Sequence, residues 1–402
     1  MQFVFVVGNY KNGGVPMRST NLANAFARNG HNSTILVTGD IADNVFFSLE
    51  DGVRLLSLKE YNKEHRVDPK VLKHKAKALR KIKLLKNIRF LTRFLKSLDK
   101  KIEAKIRDLR KGDDLSAFVL NNKDCIYICF GVSYYEKTFC AGKDLGCRII
   151  YAERNAPEMD FPKEINAKNR LINMVAKADG VILQTEDELK FFEGKIKKSR
   201  VIHNPVKSGL PLPFTETRRK VIVNFCRVAE QKNLPFLIDA FKEFHDEYSE
   251  YLLEIYGNTV VSHEEALLDE LKQYVKDIDA DDYIKFLPPR SDIHEVVKDA
   301  MMFVSSSDFE GLSNSMVEAL AIGLPCVCTD CLGGGAREMI KNGENGLLVP
   351  MNDKTALANA MKKIAADEGL REKCSKNAAK VREDLSLEKI SDNWLEFIES
   401  VI

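Results

Sequence analysis

The sequence predicts an α/β protein built from two doubly wound parallel sheets, and three observations carry that expectation. Continuous apolar runs of strand length alternate with longer amphipathic runs, as strands covered on both faces by crossover helices require. The alternation occurs twice along 402 residues, a length that exceeds one compact core and suits two domains of about 150 to 200 residues. Between the two series lies "NPVKSGLPLPFTETRRK", Asn204 to Lys220, rich in proline, glycine and threonine as an interdomain linker would be.

The first series opens with "FVFVVG", a glycine-rich turn "NYKNGGVPM", a helix marked by Leu22, Ala23, Phe26 and Ala27, and the strand "STILVTG", which together make a βαβ unit. Further strands are expected at "VRLLSL" (53–58), "CIYICF" (125–130), "CRIIYA" (147–152), "GVILQT" (180–185) and "SRVIHNPV" (199–206). The second series runs "KVIVNFCRV", a helix through Phe236, Leu237, Ala240 and Phe241, "YLLEIYG", a helix through Ala266 to Val275, "YIKFLP", a short helix near Val296, "MMFVSSS", a helix from about Ser315, "PCVCT" and "NGLLVP". The expected divisions are residues 1–207, a linker at 208–219, residues 220–384, and a terminal helix at 385–402 with Ile390, Trp394, Phe397 and Ile398 on one face. That apolar face is expected to pack against a domain, the first domain being the candidate.

Composition narrows the class. An apolar fraction of 45% with 30% charged residues describes an ordinary folded protein and argues against a disordered or repetitive chain. Nine cysteines, an odd number with several inside apolar runs, read as reduced core residues of a cytoplasmic protein. Cys326, Cys328 and Cys331 lack a second ligand pair at zinc spacing, so no metal is expected. The start, "MQFVFVVGNY", has neither a basic leader nor a spanning length of apolar residues. Net charge is only +2, yet residues 70–111 hold 17 Lys and Arg against Asp99, Glu103 and Asp108. Apolar residues recur through that run at spacings of three and four, from Leu79 to Leu109, which describes a basic amphipathic helix or two. Two readings stand open: the helix lies on an anionic membrane surface, or its stripe packs on the first domain with the charges solvated.

Chemistry concentrates in "SSDFEGLSNSMVEALAIGLP", Ser306 to Pro325. With "MMFVSSS" as a strand, Glu310 falls in the loop beyond its carboxyl end, where ligands of doubly wound sheets bind. A helix starting near Ser313 or Ser315, with a serine or asparagine cap, carries Glu318 in an early turn. Free backbone N–H groups at such a helix start suit phosphate or sugar hydroxyls, so Gly311, Leu312, Ser313, Asn314 and Ser315 are candidate donors.

These residues resemble a known family, the retaining nucleotide-sugar-dependent glycosyltransferases of family 4, through the two glutamates seven residues apart in "FEGLSNSMVEALAIGLPCVCTD". "NFCRVAEQKNLPFLIDAF", "NGENGLLVP" and "NGGVPMRSTNLANAFARNGHNSTILVT" are similar to other segments of that family, so the resemblance covers nearly the whole chain. It implies the GT-B fold, two facing Rossmann-like domains with the active site in the cleft between them. It implies that Arg227 and Lys232 hold the diphosphate, that Glu318 binds the ribose hydroxyls, and that Glu310 faces the transferred sugar. Gly13 and Gly14 would let the opposite domain's backbone approach the donor. "YAERNAPEMDF" resembles a segment of members that build bacterial surface polysaccharides and lipid-linked oligosaccharides, which implies acceptor-binding roles for Glu153, Arg154 and Asn155.

The implied partners are a nucleotide sugar, with UDP-sugar first, and a saccharide or lipid-linked acceptor, on the cytoplasmic side of a membrane and without metal or other cofactor. The alternatives are a sugar-nucleotide epimerase or phosphorylase of the same fold, separable by products from UDP-sugar alone, and a nucleic-acid-binding module. Against the last, the basic run has only Phe90 and Phe94 to stack on bases, and no nucleic acid is expected as partner.

Overall fold

The computed structural model describes residues 1–11, 14–42, 47–65, 115–192, 194–259 and 262–402. Gly13 and the basic run 70–111 lie outside the described residues. The chain divides into two compact units, one holding Met1–Ala152, Met174–Val181 and Ile398–Ile402, the other Glu153–Asn173 and Ile182–Phe397.

The expected α/β architecture is present as two parallel sheets. The first contains β1 (Gln2–Val7), β2 (Asn32–Val37), β3 (Val53–Ser57), β4 (Ile126–Phe130), β5 (Arg148–Ala152), β6 (Gly180–Leu183) and β7 (Ser199–Val201), in the order β3-β2-β1-β4-β5-β6-β7. The second contains β8 (Arg219–Arg227), β9 (Leu252–Asn258), β10 (Ile284–Leu287), β11 (Ala300–Ser305), β12 (Cys326–Thr329) and β13 (Gly346–Val349), in the order β10-β9-β8-β11-β12-β13. Strands β4, β6, β11 and β12 show no in-and-out alternation: they are buried at every position, which is why their sequences read as unbroken apolar runs.

In each sheet the order reverses direction once, between β1 and β4 and between β8 and β11. Crossovers then leave opposite faces of the sheet, and the carboxyl ends of the two strands flank a crevice. The second reversal matters most, because β8 ends at Arg227 and β11 leads directly into the Glu310 loop.

One core of the second sheet packs Ile222, Leu253, Ile255, Met302, Val304 and Val327 against Leu237, Phe241 and Phe244 of the helix Leu234–His245 and Leu357, Met361 and Ile364 of the helix Lys354–Ala366. The expected terminal helix is Leu387–Val401, and Ile390, Trp394, Phe397 and Ile398 are all buried. The ring of Trp394 receives the Arg154 guanidinium at 5.3 Å, and Glu396 pairs with Arg200 at 3.2 Å. Among the described residues no helix is long and apolar enough to cross a membrane.

The linker is anchored by Arg218, whose guanidinium donates to the carbonyls of Phe214, Lys298, Ala300 and Gly323 at 2.8–3.2 Å. Burial, with Arg371 nearby, pulls its pKa down to about 10.

Candidate active site

The loop after β8 and the loop after β11 are sewn together by side chains the sequence supplies locally. Asn233 adopts the left-handed conformation at φ 43°, which asparagine tolerates, and caps the helix Leu234–His245 through Phe236 N–H at 3.4 Å. Its amide also donates to Asp308 Oδ1 at 2.8 Å. Gln231 donates from Nε2 to the Phe309 carbonyl at 2.7 Å, the Asp308 N–H donates to the Gln231 carbonyl at 2.9 Å, and Ser306 Oγ donates to the Lys232 carbonyl at 2.8 Å. Lys232 and Glu310, 78 positions apart, are thereby brought to one point, where the Lys232 ammonium forms an ion pair with Glu310 Oε1.

Both side chains of that pair are mostly buried, and Ser307 Oγ donates to the same Glu310 oxygen at 3.3 Å. Burial alone would depress the Lys232 pKa, but the charge and hydrogen bond of Glu310 outweigh it and hold the ammonium above its usual range. The resemblance assigned these residues to separate parts of a donor, the diphosphate and the sugar. The geometry joins them, and an ammonium with three N–H donors can serve Glu310 and still offer two to a phosphate.

Arg227, at the end of β8, is half exposed, and its Nε lies 3.3 Å from Oε1 of the buried Glu264. Glu264 stands in the first turn of the helix Ser262–Asp277 and carried no motif by which the sequence marked it. The contact is made at Nε, and the Arg227 side chain is 48% exposed. Replacing Glu264 by glutamine is expected to raise the KM for a diphosphate-bearing donor about three- to tenfold with little change in kcat, the size of one neutralised hydrogen bond. Steady-state kinetics reads it.

Beyond Glu310 the chain runs close to other backbone. The Leu312 N–H donates to Gln184 Oε1 at 3.2 Å, so that amide is bonded within the protein, and the candidate donors narrow to the turn that follows. A Cβ at Gly311 would lie 2.6 Å from Gln184 Oε1 and 3.0 Å from Glu188 Oε1. The helix Asn314–Ala321 begins at Ser313 as expected, but the expected side-chain cap is not made: Ser313 Oγ lies 3.3 Å from Ser315 Oγ instead. Its first turn, which the Ser313 side chain does not cap, lies at the positive end of the helix dipole.

Glu318, in the second turn, has its Oε2 2.8 Å from Nε2 of His294. His294 is buried, stands in the helix Ile293–Val297 after β10, and meets the ring of Phe225 edge-on at 5.8 Å. Sequence reasoning did not find it.

Of the acceptor candidates, Glu153 is fully buried and turned inward, its Oε1 accepting the N–H groups of Arg154 at 2.7 Å and Asn155 at 3.3 Å. It shapes the turn rather than projecting from it. Asn155 donates to Asp160 Oδ1 at 3.2 Å, and Arg154 stacks on Trp394. The same turn lies against the donor-side loops, since a Cβ at Gly311 would be 3.3 Å from Asn155 Cα and one at Gly333 3.0 Å from Ala156 Cβ. Glu188, also buried, is pushed well above the usual carboxylate range by burial and by Glu153, and Asp160 is raised by burial.

A third loop, "CLGGGAREM", completes the site and was not singled out from sequence. Gly333 and Gly334 have φ of 88° and 74°, Thr185 Oγ1 donates to the Gly333 carbonyl at 2.7 Å, and the Glu310 N–H donates to the Leu332 carbonyl at 2.8 Å. Three consecutive glycines in the loop after a buried strand were the available signal. Arg337 pairs with Asp187 and Asp330, and Glu338 lies 3.3 Å from His203. Gly14 opens the helix Gly14–Arg28 of the first sheet.

Cys226 and Cys331 are free thiols whose pKa values burial pushes up to about 11 and about 12. Among the described residues no three His, Cys, Asp or Glu side chains group as a metal site would.

Two parallel-sheet Rossmann-like domains give this chain the GT-B fold. The family model for glycosyl transferases group 1 matches residues 213–381 of this chain. The chain is 25% identical over 234 residues to an uncharacterized glycosyltransferase of Haemophilus influenzae, covering 56% of this chain and 64% of that protein, under two thirds of its length. It is 24% identical over 403 residues, covering 100% of this chain and 99% of the relative, to a Campylobacter jejuni GalNAc-alpha-(1->4)-GalNAc-alpha-(1->3)-diNAcBac-PP-undecaprenol alpha-1,4-N-acetyl-D-galactosaminyltransferase. Its fold matches that of Anabaena HepE, solved in complex with UDP, at a TM-score of 0.72 and 17% identity over 100% of both chains.

Proposed function

We propose that this protein is a retaining glycosyltransferase that moves a sugar from a UDP-sugar to a hydroxyl of a saccharide or lipid-linked saccharide, without a divalent metal. The observation that carries the reading is the Lys232–Glu310 pair at the β8/β11 crevice, beside the start of the helix Asn314–Ala321 and against the turn of Asn155. The UDP complex of HepE favours a UDP donor, and the undecaprenol-linked acceptor in the name of the Campylobacter relative favours a lipid-linked one.

In this reading Arg227, Lys232 and the first turn of the helix Asn314–Ala321 bind the diphosphate and neutralise the charge that grows on it as the anomeric C–O bond breaks. Glu318 accepts from the ribose hydroxyls, and Glu310, oriented by Lys232 and Ser307, faces the sugar ring and stabilises its oxocarbenium character. The acceptor oxygen bonds to the anomeric carbon on the face the diphosphate leaves, and its proton passes to a β-phosphate oxygen. The resemblance assigns Gly13 and Gly14 to the donor as well, and Arg154 and Asn155 orient the acceptor. Two cations and a helix dipole do what a metal does in other transferases, so chelation with EDTA is expected to leave the rate unchanged.

The test is a mass-spectrometric screen of UDP-sugars for hydrolysis or transfer, with and without EDTA, followed by NMR of the product anomer. An inverted linkage, an EDTA-sensitive rate, or turnover undiminished in Arg227→Ala would each refute part of the assignment. The basic run 70–111 is assigned to the anionic inner leaflet of the membrane. Salt-sensitive co-sedimentation with phosphatidylglycerol vesicles checks that assignment, and no co-sedimentation at low salt would remove it.

A further inference from the structure

We propose that His294 is a positioning residue for the donor nucleotide: it clamps one oxygen of the Glu318 carboxylate so that the other faces the ribose. The inference rests on the reading of Glu318 as the ribose ligand.

The geometry is specific. A carboxylate only accepts, so the proton between the two groups belongs to His294 Nε2, which donates to Glu318 Oε2 at 2.8 Å. Among the described residues the hydrogen bond to the Glu318 carboxylate falls on Oε2, and the side chain is 16% exposed. One oxygen is therefore held by the protein, and the other is the one assigned to the ribose.

The two residues sit on helices that follow different strands, His294 after β10 and Glu318 after β11, and strands of one parallel sheet send their helices from the same edge. That edge is where Arg227 and Lys232 stand. The imidazole is itself fixed, buried and held edge-on by Phe225 at 5.8 Å, with Phe225 packed on Phe303 at 4.9 Å.

An unclamped glutamate on a helix has three side-chain torsions free, and each must be ordered when the ribose arrives. A donor already bonded to Oε2 orders them beforehand and removes that cost from binding. It also fixes which oxygen the diol meets, so both ribose hydroxyls would share Oε1.

The experiment compares two nucleotides, UDP and 2′,3′-dideoxy-UDP, by calorimetry on wild type, His294→Phe and His294→Gln. Phenylalanine keeps the ring volume and the edge contact with Phe225 but has no donor. Glutamine places an amide nitrogen near the position of Nε2 and can donate to Oε2. Wild type is expected to prefer UDP over the dideoxy form by about 10- to 100-fold, the range for hydrogen bonds to a charged group. H294F should lose about tenfold in UDP affinity with the dideoxy affinity unchanged, and H294Q should recover most of the preference. A merely structural role would weaken both nucleotides alike.

If H294F keeps the full preference, or loses both affinities equally while melting at the wild-type temperature, the positioning role is wrong. If wild type itself binds the two nucleotides equally, the ribose assignment of Glu318 fails and takes the proposal with it. Should H294F not fold, H294Q alone decides: a preference far below that of wild type overturns the proposal.

Discussion

Glu310→Gln is expected to lower kcat for sugar transfer about 100-fold while leaving the KM for donor within a few-fold of wild type. Glutamine keeps the shape and an oxygen for Lys232, so the loop keeps its place; what disappears is the negative charge that, in the proposed function, faces the sugar ring. The stability consequence follows from the same pair. Removing one member of a mostly buried ion pair leaves the other uncompensated, a cost of about 3 kcal/mol or more, whereas removing both does not.

Glu310→Gln and Lys232→Met should therefore each lower the unfolding free energy, and the double variant should be less destabilised than their sum. Denaturant melts of the three variants check this, and simple additivity would mean that the pair contributes nothing. The pH dependence has a definite sign. The folded Lys232 pKa is raised above the usual 10.5, so the pair's contribution is complete below that value and is lost only as pH rises through the higher folded value. Acid titration of stability down to pH 6 should not touch the lysine's share.

The second large effect is expected at Gly335. A Cβ there would lie 1.7 Å from the Gly311 carbonyl oxygen and 2.7 Å from its carbon, backbone atoms that cannot swing aside as a side chain could. Gly335→Ala must push the Gly311–Leu312 segment away, and with it the loop that aims Glu310. A displacement of about 1 Å at reacting groups can cost about 100-fold in rate, and overpacking adds about 1–3 kcal/mol of destabilisation.

Gly343→Ala is the matched control. Gly343 has φ 76° but no atom within 4 Å of the added Cβ, so it should show only the conformational penalty of about 1–2 kcal/mol and full activity. Equal activity losses in the two variants would mean that close backbone approach at Gly335 is irrelevant to the site.

How much of this is legible in the sequence depends on how local each signal is. β11 and β12 are buried at every position and were readable as unbroken apolar runs. The helix after β11 was readable from its small polar start and the spacing of Glu310 and Glu318. The side-chain cap expected there is missing because Ser313 turns to Ser315, a choice of rotamer that no pattern encodes. The inward turn of Glu153 is similar: a polar residue after a strand reads as a candidate ligand, but two neighbouring amide N–H groups are the acceptor's nearest partners.

Residue order alone dictates the two parallel sheets, the glutamates and cations that the second sheet presents, and the glycine-rich turns that let chain pass close to chain. Those features depend on periodicity and residue type within a dozen positions. The pairings come from the folded chain: Lys232 with Glu310, Arg227 with Glu264, His294 with Glu318 and Gln184 with Leu312, the last across 128 positions. A hydrogen bond needs its two partners within about 3 Å, and which distant side chains arrive there is set by sheet order and crossover direction rather than by any local run.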